Sequence, residues 1–417
     1  MITFYHTADI HFGVENYGKI DSKTGIHSRL LDFKNSLSIC VDNAVKENID
    51  LFVFSGDAYK TAYPTPTQQK LLIEEFIKLY RAKIPVVIIV GNHDHPLSFG
   101  KANALDVFNQ LPVDGFHVFS IPALEVIKTK NGSIQVVGIP WPTRNNVITK
   151  EDHRFKKSED ITKYISERMS EIIRQLTSQV DPNLPAILAG HLTVSNGIFS
   201  GSEKRAVFGT DPLFMPSELA DPALDYVALG HLHRHQNLNP NGYPAVVYSG
   251  SSDRIDFGER KETKGYCKVQ IKIDVEPKKS LNQYCTLASY EFIKVKTRPF
   301  VQIELKLDSD KDHTEQVLNE IKKHDVDGAI VKIIYHVPAG KKDKLDLMEV
   351  QGACQNAEYL VGIIPVRVAA KHERRADLKV DMHFVDLLDK YLSTRDDINS
   401  KQQLIEKAKQ LQAEIEE

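Results

Sequence analysis

The chain has 417 residues, 41% of them hydrophobic and 26% charged, with a formal net charge of −3. That length exceeds one compact core, so two or three domains are expected, and the composition excludes disordered and fibrous classes. Bulk charge gives no support to nucleic-acid binding, so attraction for phosphate must come from a local patch or from bound metal. Cys40, Cys267, Cys285 and Cys354 are widely spaced and form no CxxC pair. They read as small buried residues of a reduced compartment rather than a disulfide frame or zinc knuckle. The N-terminus has no basic n-region and no window approaches a membrane span, so a cytoplasmic protein is expected.

In chain order, Ile2 to Ala8 opens a series of strand-length apolar runs. Leu51 to Ser55, Pro85 to Val90, Ile134 to Ile139, Ala186 to Ala189, Tyr226 to Leu229 and Ala245 to Tyr248 follow, each rich in Val, Ile or aromatics. Between the first two, Leu37, Val41, Ala44 and Val45 fall on one helical face, and residues 67–82 repeat that spacing. Strand–helix–strand alternation predicts an α/β layered architecture over about residues 1–275. From about residue 290 the texture changes. Val301, Ile303, Leu305 and Leu307 alternate, helical stretches are predicted at 313–323 and 344–358, and Ile330 to Tyr335 and Ile363 to Val368 read as strands. This predicts a small α+β domain at 290–375. A charged connector, Lys371 to Arg375, leads to an amphipathic helix carrying Phe384, Val385, Leu387, Leu388 and Tyr391, and then to a polar, helix-prone tail.

Five short motifs fall directly after predicted strands, where an open α/β sheet presents its ligand site. They are Asp9-Ile-His11, Gly56-Asp57, Gly91-Asn92-His93-Asp94, Gly190-His191 and Gly230-His231-Leu-His233. Alone, each is better explained by a turn or a surface histidine. Together, in order and separated by helices, they assemble carboxylate, imidazole and amide oxygen, a donor set suited to Mn²⁺, Fe²⁺ or Zn²⁺. No thiolate is near, which argues against a structural zinc site. On a strand extension, alternate side chains of an Asp-x-His or His-x-His pair point to one side, supplying two ligands to one metal or one to each of two.

With these residues the sequence resembles the calcineurin-like metallophosphoesterases, and within them the SbcD-type DNA-repair exonuclease subunits. The resemblance is dense over the first 260 or so residues. It includes His191-Leu-Thr-Val194 with Ser200-Gly-Ser-Glu203, Asp225 to Gly230, Tyr248-Ser-Gly-Ser251 and Arg254 to Glu259. It implies a layered β-sandwich flanked by helices, with a small capping domain and C-terminal helices. It puts Asp9, His11, Asp57 and His233 on one metal and Asp57, Asn92, His191 and His231 on the second, Asp57 bridging. His93 is then the non-ligand histidine that stabilises the transition state or protonates the leaving oxygen, and Asp94 orients and polarises it. Two divalent ions are implied, Mn²⁺ first, with Mg²⁺ or Fe²⁺ as alternatives.

The chain departs from the pattern at Gly56-Asp57-Ala-Tyr-Lys60, where relatives often carry His or Asp three residues after the bridging aspartate. Lys60 cannot accept a proton as a neutral His would. A phosphate contact and a solvated loop lysine both remain open for it. His235 reads as a bystander. The resemblance implies a 3′-to-5′ exonuclease on duplex DNA, also an endonuclease on single strands or hairpins, acting in double-strand-break repair or recombination. It further implies a homodimer of the nuclease subunit, with residues from about 378 docked on the coiled coil of an SbcC-like ABC ATPase. The competing reading is a phosphoesterase of small molecules or proteins, which the metal motifs alone leave standing.

Overall fold

The computed structural model describes residues 1–96, 101–110, 114–143, 158–201, 211–273, 286–338, 340–367, 384–394 and 398–416. Ser202 and Glu203, Cys285, Val368 and the connector Lys371 to Arg375 lie outside them. The strands in chain order are β1 (Ile2–Thr7), β2 (Leu51–Phe54), β3 (Val86–Ile89), β4 (Phe116–Phe119), β5 (Ala123–Thr129) and β6 (Gly132–Ile139). Then come β7 (Ala186–His191), β8 (Thr193–Val194), β9 (Leu213–Phe214), β10 (Tyr226–Gly230), β11 (Gln236–Asn237) and β12 (Ala245–Tyr248). The series ends with β13 (Gly265–Ile273), β14 (Thr286–Lys294), β15 (Phe300–Lys306), β16 (Ile330–Val337) and β17 (Tyr359–Arg367).

Two six-stranded sheets, ordered β14-β13-β1-β2-β3-β4 and β11-β12-β10-β7-β6-β5, pack face to face. Strands β1 to β4 run parallel in one sheet, and β6, β7, β10 and β12 run parallel in the other. Alternation along each strand feeds two cores at once. Leu51 and Val53 enter the layer between the sheets, with Ile187, Ala189, Tyr226 and Ala228 opposite. Phe52 and Phe54 point the other way, against Leu37 and Val41 of helix α1 (Ser28–Glu47) and Phe76 of α2 (Pro66–Arg81). Behind the second sheet, Leu188, Val227 and Leu229 meet Ile165, Met169 and Ile173 of α3 (Ser158–Thr177). The result is a helix–sheet–sheet–helix stack. Strands covered on both faces need apolar residues at every position, which is why they read as continuous runs rather than alternating ones.

Sequence patterning did not anticipate α3, β13 or β14. Strand β14 pairs with β13 along its whole length, Gly265 opposite Lys294 and Ile273 opposite Thr286. The first sheet therefore extends to Lys294, past the boundary expected near 275. Residues 300–367 form a separate βαβαβ unit, in which β15, β16 and β17 run parallel with α4 (His313–Ile321) and α5 (Leu347–Ala353) between them. Helix α5 is shorter than the stretch predicted at 344–358. Arg298, in the segment before β15, fastens this unit to α1. Its Nε and Nη2 donate to the two carboxylate oxygens of Asp32 at 2.8 and 2.7 Å, and its Nη1 donates to the Gly328 carbonyl at 2.8 Å. Two further helices, α6 (Phe384–Ser393) and α7 (Lys401–Glu416), follow.

Candidate metal centre

Because β1, β2, β3, β7 and β10 are parallel within their sheets, each motif emerges at a C-terminal strand end along one edge of the sandwich. There the chain leaves extended geometry. Asp9 (φ 54°), His11 (φ 55°) and Asp57 (φ 57°) adopt left-handed backbone, and His231 has φ 103°. Left-handed backbone in non-glycine residues costs about 1–3 kcal/mol each and persists where the surroundings enforce it. The enforcement is visible: Asp9 N–H donates to the Gly56 carbonyl at 2.9 Å and His11 N–H to the Asp57 carbonyl at 3.1 Å. Asp9 and His11 thus converge through a turned loop beyond β1, not through the strand alternation expected of Asp-x-His.

Small residues let the loops close. A Cβ on Gly91 would lie 2.1 Å from Asp57 Oδ1, and one on Gly56 would lie 2.4 Å from His191 Nδ1. All seven residues expected as ligands come together. His11 Nε2 is 3.1 Å from His233 Nε2 and 3.6 Å from Asp57 Oδ2. On the other side of Asp57, His191 Nε2 lies 3.4 Å from the same Oδ2 and 3.0 Å from Asn92 Oδ1. His231 Nδ1 is 3.3 Å from that amide oxygen, and its backbone N–H donates to the Asp9 carboxylate at 3.1 Å. Asp57 Oδ2 therefore stands between two clusters of donors.

The tautomers decide what the clusters can do. His191 Nδ1 sits 2.7 Å from the Ser55 carbonyl and His233 Nδ1 sits 2.9 Å from Glu259 Oε1, both pure acceptors. Each Nδ1 must carry a proton, so in the neutral ring the Nε2 lone pair of His191 faces Asp57 Oδ2 and Asn92 Oδ1, and that of His233 faces His11 Nε2. Lone pairs converging in a buried site repel unless a proton or a cation stands between them. Three sets of donors, Asp9–His11–His233, His11–Asp57–His93 and Asp9–Asp57–His191, have ligand atoms within 4.8 Å of one another. The residues fit divalent metal.

The electrostatics agree in direction. Burial pushes Asp57 up, yet the imidazoles of His191, His93 and His11 hold its carboxyl well below the usual range. Burial pushes Asp9 up to about 7, with His191 and His233 pulling it back. Burial lowers His191, but the charge and hydrogen bond of Asp57, the Asp9 charge and the Ser55 carbonyl together raise the imidazole to about 9. Protons take the place of cations in such a cluster, so a metal would compete with them.

One expected role is corrected. Asp94 does not orient the His93 imidazole. Its Oδ2 accepts from the backbone N–H groups of Asp57, Ala58 and Gly91 at 2.9, 3.3 and 3.1 Å, and Oδ1 from Tyr59 N–H at 3.1 Å. It is a buried clamp on the loop that carries Asp57. His93 is oriented instead by the Lys60 carbonyl, 2.9 Å from its Nδ1, while its own N–H donates to Asp57 Oδ1 at 2.9 Å. The Lys60 side chain is exposed.

Sequence reasoning assigned no role to Glu259 and missed Lys264. Glu259 is fully buried, and Oε2 takes Lys264 Nζ at 2.7 Å while Oε1 holds His233. Lys264 Nζ also donates to the His233 carbonyl at 2.9 Å. The only signal was that Glu259 closes the Arg254 to Glu259 string. Trp141, the one tryptophan, packs on His231 with ring centroids 4.8 Å apart.

Residues 2–235 match the family described as calcineurin-like phosphoesterase. The chain belongs to that family. The SbcD subunit of nuclease SbcCD from Staphylococcus epidermidis is 32% identical to this phosphoesterase over 281 residues, 67% of each chain. The protein of the same name from Bacillus subtilis is 30% identical over 280 residues, 65% of this chain and 66% of its own. The chain thus spans about two thirds of the length of these relatives. A dimetal phosphatase from Danio rerio aligns over 64% of this chain and 92% of its own, at 10% identity and a TM-score of 0.39, too distant to carry weight. Among the described residues no helix is long and apolar enough to cross a membrane.

Proposed function

We propose that the chain is a metal-dependent DNA nuclease, the nuclease subunit of an SbcCD-type complex. The observation that carries the reading is Asp57 Oδ2, set between His11 and His233 on one side and His191 and Asn92 on the other. The relatives named as nuclease subunits support the choice of DNA over small phosphate esters. Asp9, His11, Asp57 and His233 would hold one divalent ion, Mn²⁺ in the first instance, and Asp57, Asn92, His191 and His231 the other. The chemistry such a pair supplies is neutralisation of the phosphodiester charge and a lower pKa for the attacking water.

The chain's own residues do the rest. Asp94 clamps the Asp57 turn so that Oδ2 stays central, and His93 N–H occupies Oδ1. With Nδ1–H tied to the Lys60 carbonyl, His93 as imidazolium holds its second proton at Nε2 for the departing 3′ oxygen. Glu259 keeps His233 in the tautomer that turns the Nε2 lone pair toward the cluster. No serine or cysteine nucleophile is required. The reading extends to 3′-to-5′ exonuclease and single-strand or hairpin endonuclease activity in DNA repair, and to a homodimer. It also extends to an ABC-ATPase partner whose coiled coil takes the segment from about 378.

The test offers purified protein and Mn²⁺ an end-labelled duplex beside a small chromogenic phosphodiester. Progressive shortening of the labelled strand is expected. Turnover of the small ester alone would favour a small-molecule phosphoesterase and overturn the nuclease reading.

A further inference from the structure

Beside the metal centre lies an open cleft of about 710 Å³ that the chemistry above does not use. Arg234, Lys261 and Lys294 line it, and all three are exposed. Among the described residues none of the three joins an ion pair. Glu262, the one carboxylate among the described wall residues, shares Lys264 with Glu259 and so offsets at most one of the three charges. At the floor His235 stacks on Phe292, with ring centroids 3.9 Å apart and planes 11° apart. In a chain of net charge −3, a surplus of positive charge around one cleft is a local anomaly. A concave basic wall attracts anions, and this volume suits a nucleotide rather than a lone phosphate.

The cleft adjoins the reaction site. Arg234 and His235 directly follow His233, and Lys264 ties the Glu262 wall to the His233 carbonyl at 2.9 Å. A cationic groove with an aromatic floor is the arrangement that tracks single-stranded nucleic acid.

We propose that this cleft is a second phosphate subsite, holding the backbone of a single DNA strand next to the bond to be cut. The proposal rests on the nuclease reading. Lys261 and Lys294 each meet a strand phosphate, and Arg234 bridges from the cleft to the metal centre.

The test measures binding of a fluorescent single-stranded oligonucleotide to the full chain, by anisotropy, between about 50 and 200 mM salt. Loss of two phosphate contacts in Lys261→Ala/Lys294→Ala should flatten the slope of log K against log salt by about 1.4, at roughly 0.7 per contact. Lys261→Arg/Lys294→Arg should retain the wild-type slope. An unchanged slope in the alanine pair, with wild type binding and cutting DNA, overturns the subsite and leaves the nuclease reading intact. An arginine pair that flattens as much as the alanine pair also overturns it, because charge would not be the cause. Wild-type protein that neither binds nor cuts DNA overturns the nuclease reading itself.

Discussion

Replacing Glu259 by glutamine removes a single charge while keeping side-chain volume, at a position that touches no substrate. The carboxylate accepts on both oxygens: His233 Nδ1–H at 2.9 Å on one, Lys264 Nζ at 2.7 Å and Ile255 N–H at 3.0 Å on the other. A glutamine has one acceptor and one donor end. If its oxygen faces Lys264, its NH₂ meets His233 and forces the imidazole to protonate at Nε2, the atom needed for metal. If its oxygen faces His233, the NH₂ points at an ammonium and a backbone N–H. Partners of this kind are worth about 10–100-fold in metal affinity, or about 1.4–2.7 kcal/mol. The buried Lys264 retains Glu262 at 3.0 Å, so the added loss of folding stability should be about 1–3 kcal/mol rather than that of an unpaired charge. Calorimetric titration of Glu259→Gln with Mn²⁺ should show one site weakened by that factor and the His191 side near its wild-type affinity. Two sites of wild-type affinity would refute the tautomer argument. The pH dependence has a definite sign. Burial pushes Glu259 up, but Lys264 and His233 hold its folded-state pKa below the ordinary 4.5. Its contribution to stability is therefore present above about pH 4.5 and lost as pH falls below it. The stability gap between wild type and Glu259→Gln should narrow in acid, as denaturant melts at pH 7 and pH 3 would report.

The other expectations separate roles. His93→Ala should keep both metals and DNA affinity while losing roughly 10²–10⁴-fold in turnover, whereas Asp57→Ala should lose metal; elemental analysis showing His93→Ala empty of both ions would make His93 a ligand. Asp94→Ala leaves four backbone N–H groups without their acceptor and should destabilise the fold by several kcal/mol, at about 1–3 per orphaned donor; an unchanged melting curve would contradict the clamp. If Lys60 touches phosphate, Lys60→Ala should reduce the salt slope of DNA binding by about one unit, and an unchanged slope marks a solvated loop lysine. A chain ending at residue 376 should still cleave simple DNA with Mn²⁺ yet fail to co-purify with the ATPase. The exposed Phe384 and Tyr391 of α6, at 62% and 52%, are the apolar surface that such docking would cover.

The strands that carry the site were legible in the sequence. Strands covered on both faces must be apolar at every position, so Leu51–Phe54, Val86–Ile89 and Ala186–His191 stand out as runs, each ending in a polar motif. The motifs were legible for the same reason, since carboxylates and imidazoles directly after an apolar run are conspicuous. Strand β14 was not. It lies at a sheet edge, mixes Ser289, Glu291 and Lys294 with apolar residues, and is defined as a strand only by its pairing with β13. Second partners were hidden too. Asp94 adjoins His93 in sequence, which invited an acid–base pair, but its carboxylate turns to the Asp57 loop and leaves His93 to the carbonyl of Lys60. Glu259 is 26 residues from the histidine it holds. Composition and periodicity act through neighbours in the chain, and so they determined the layers and the donor set. Which carboxylate faces which imidazole depends on contacts between distant loops, and only the packed sheets decided that.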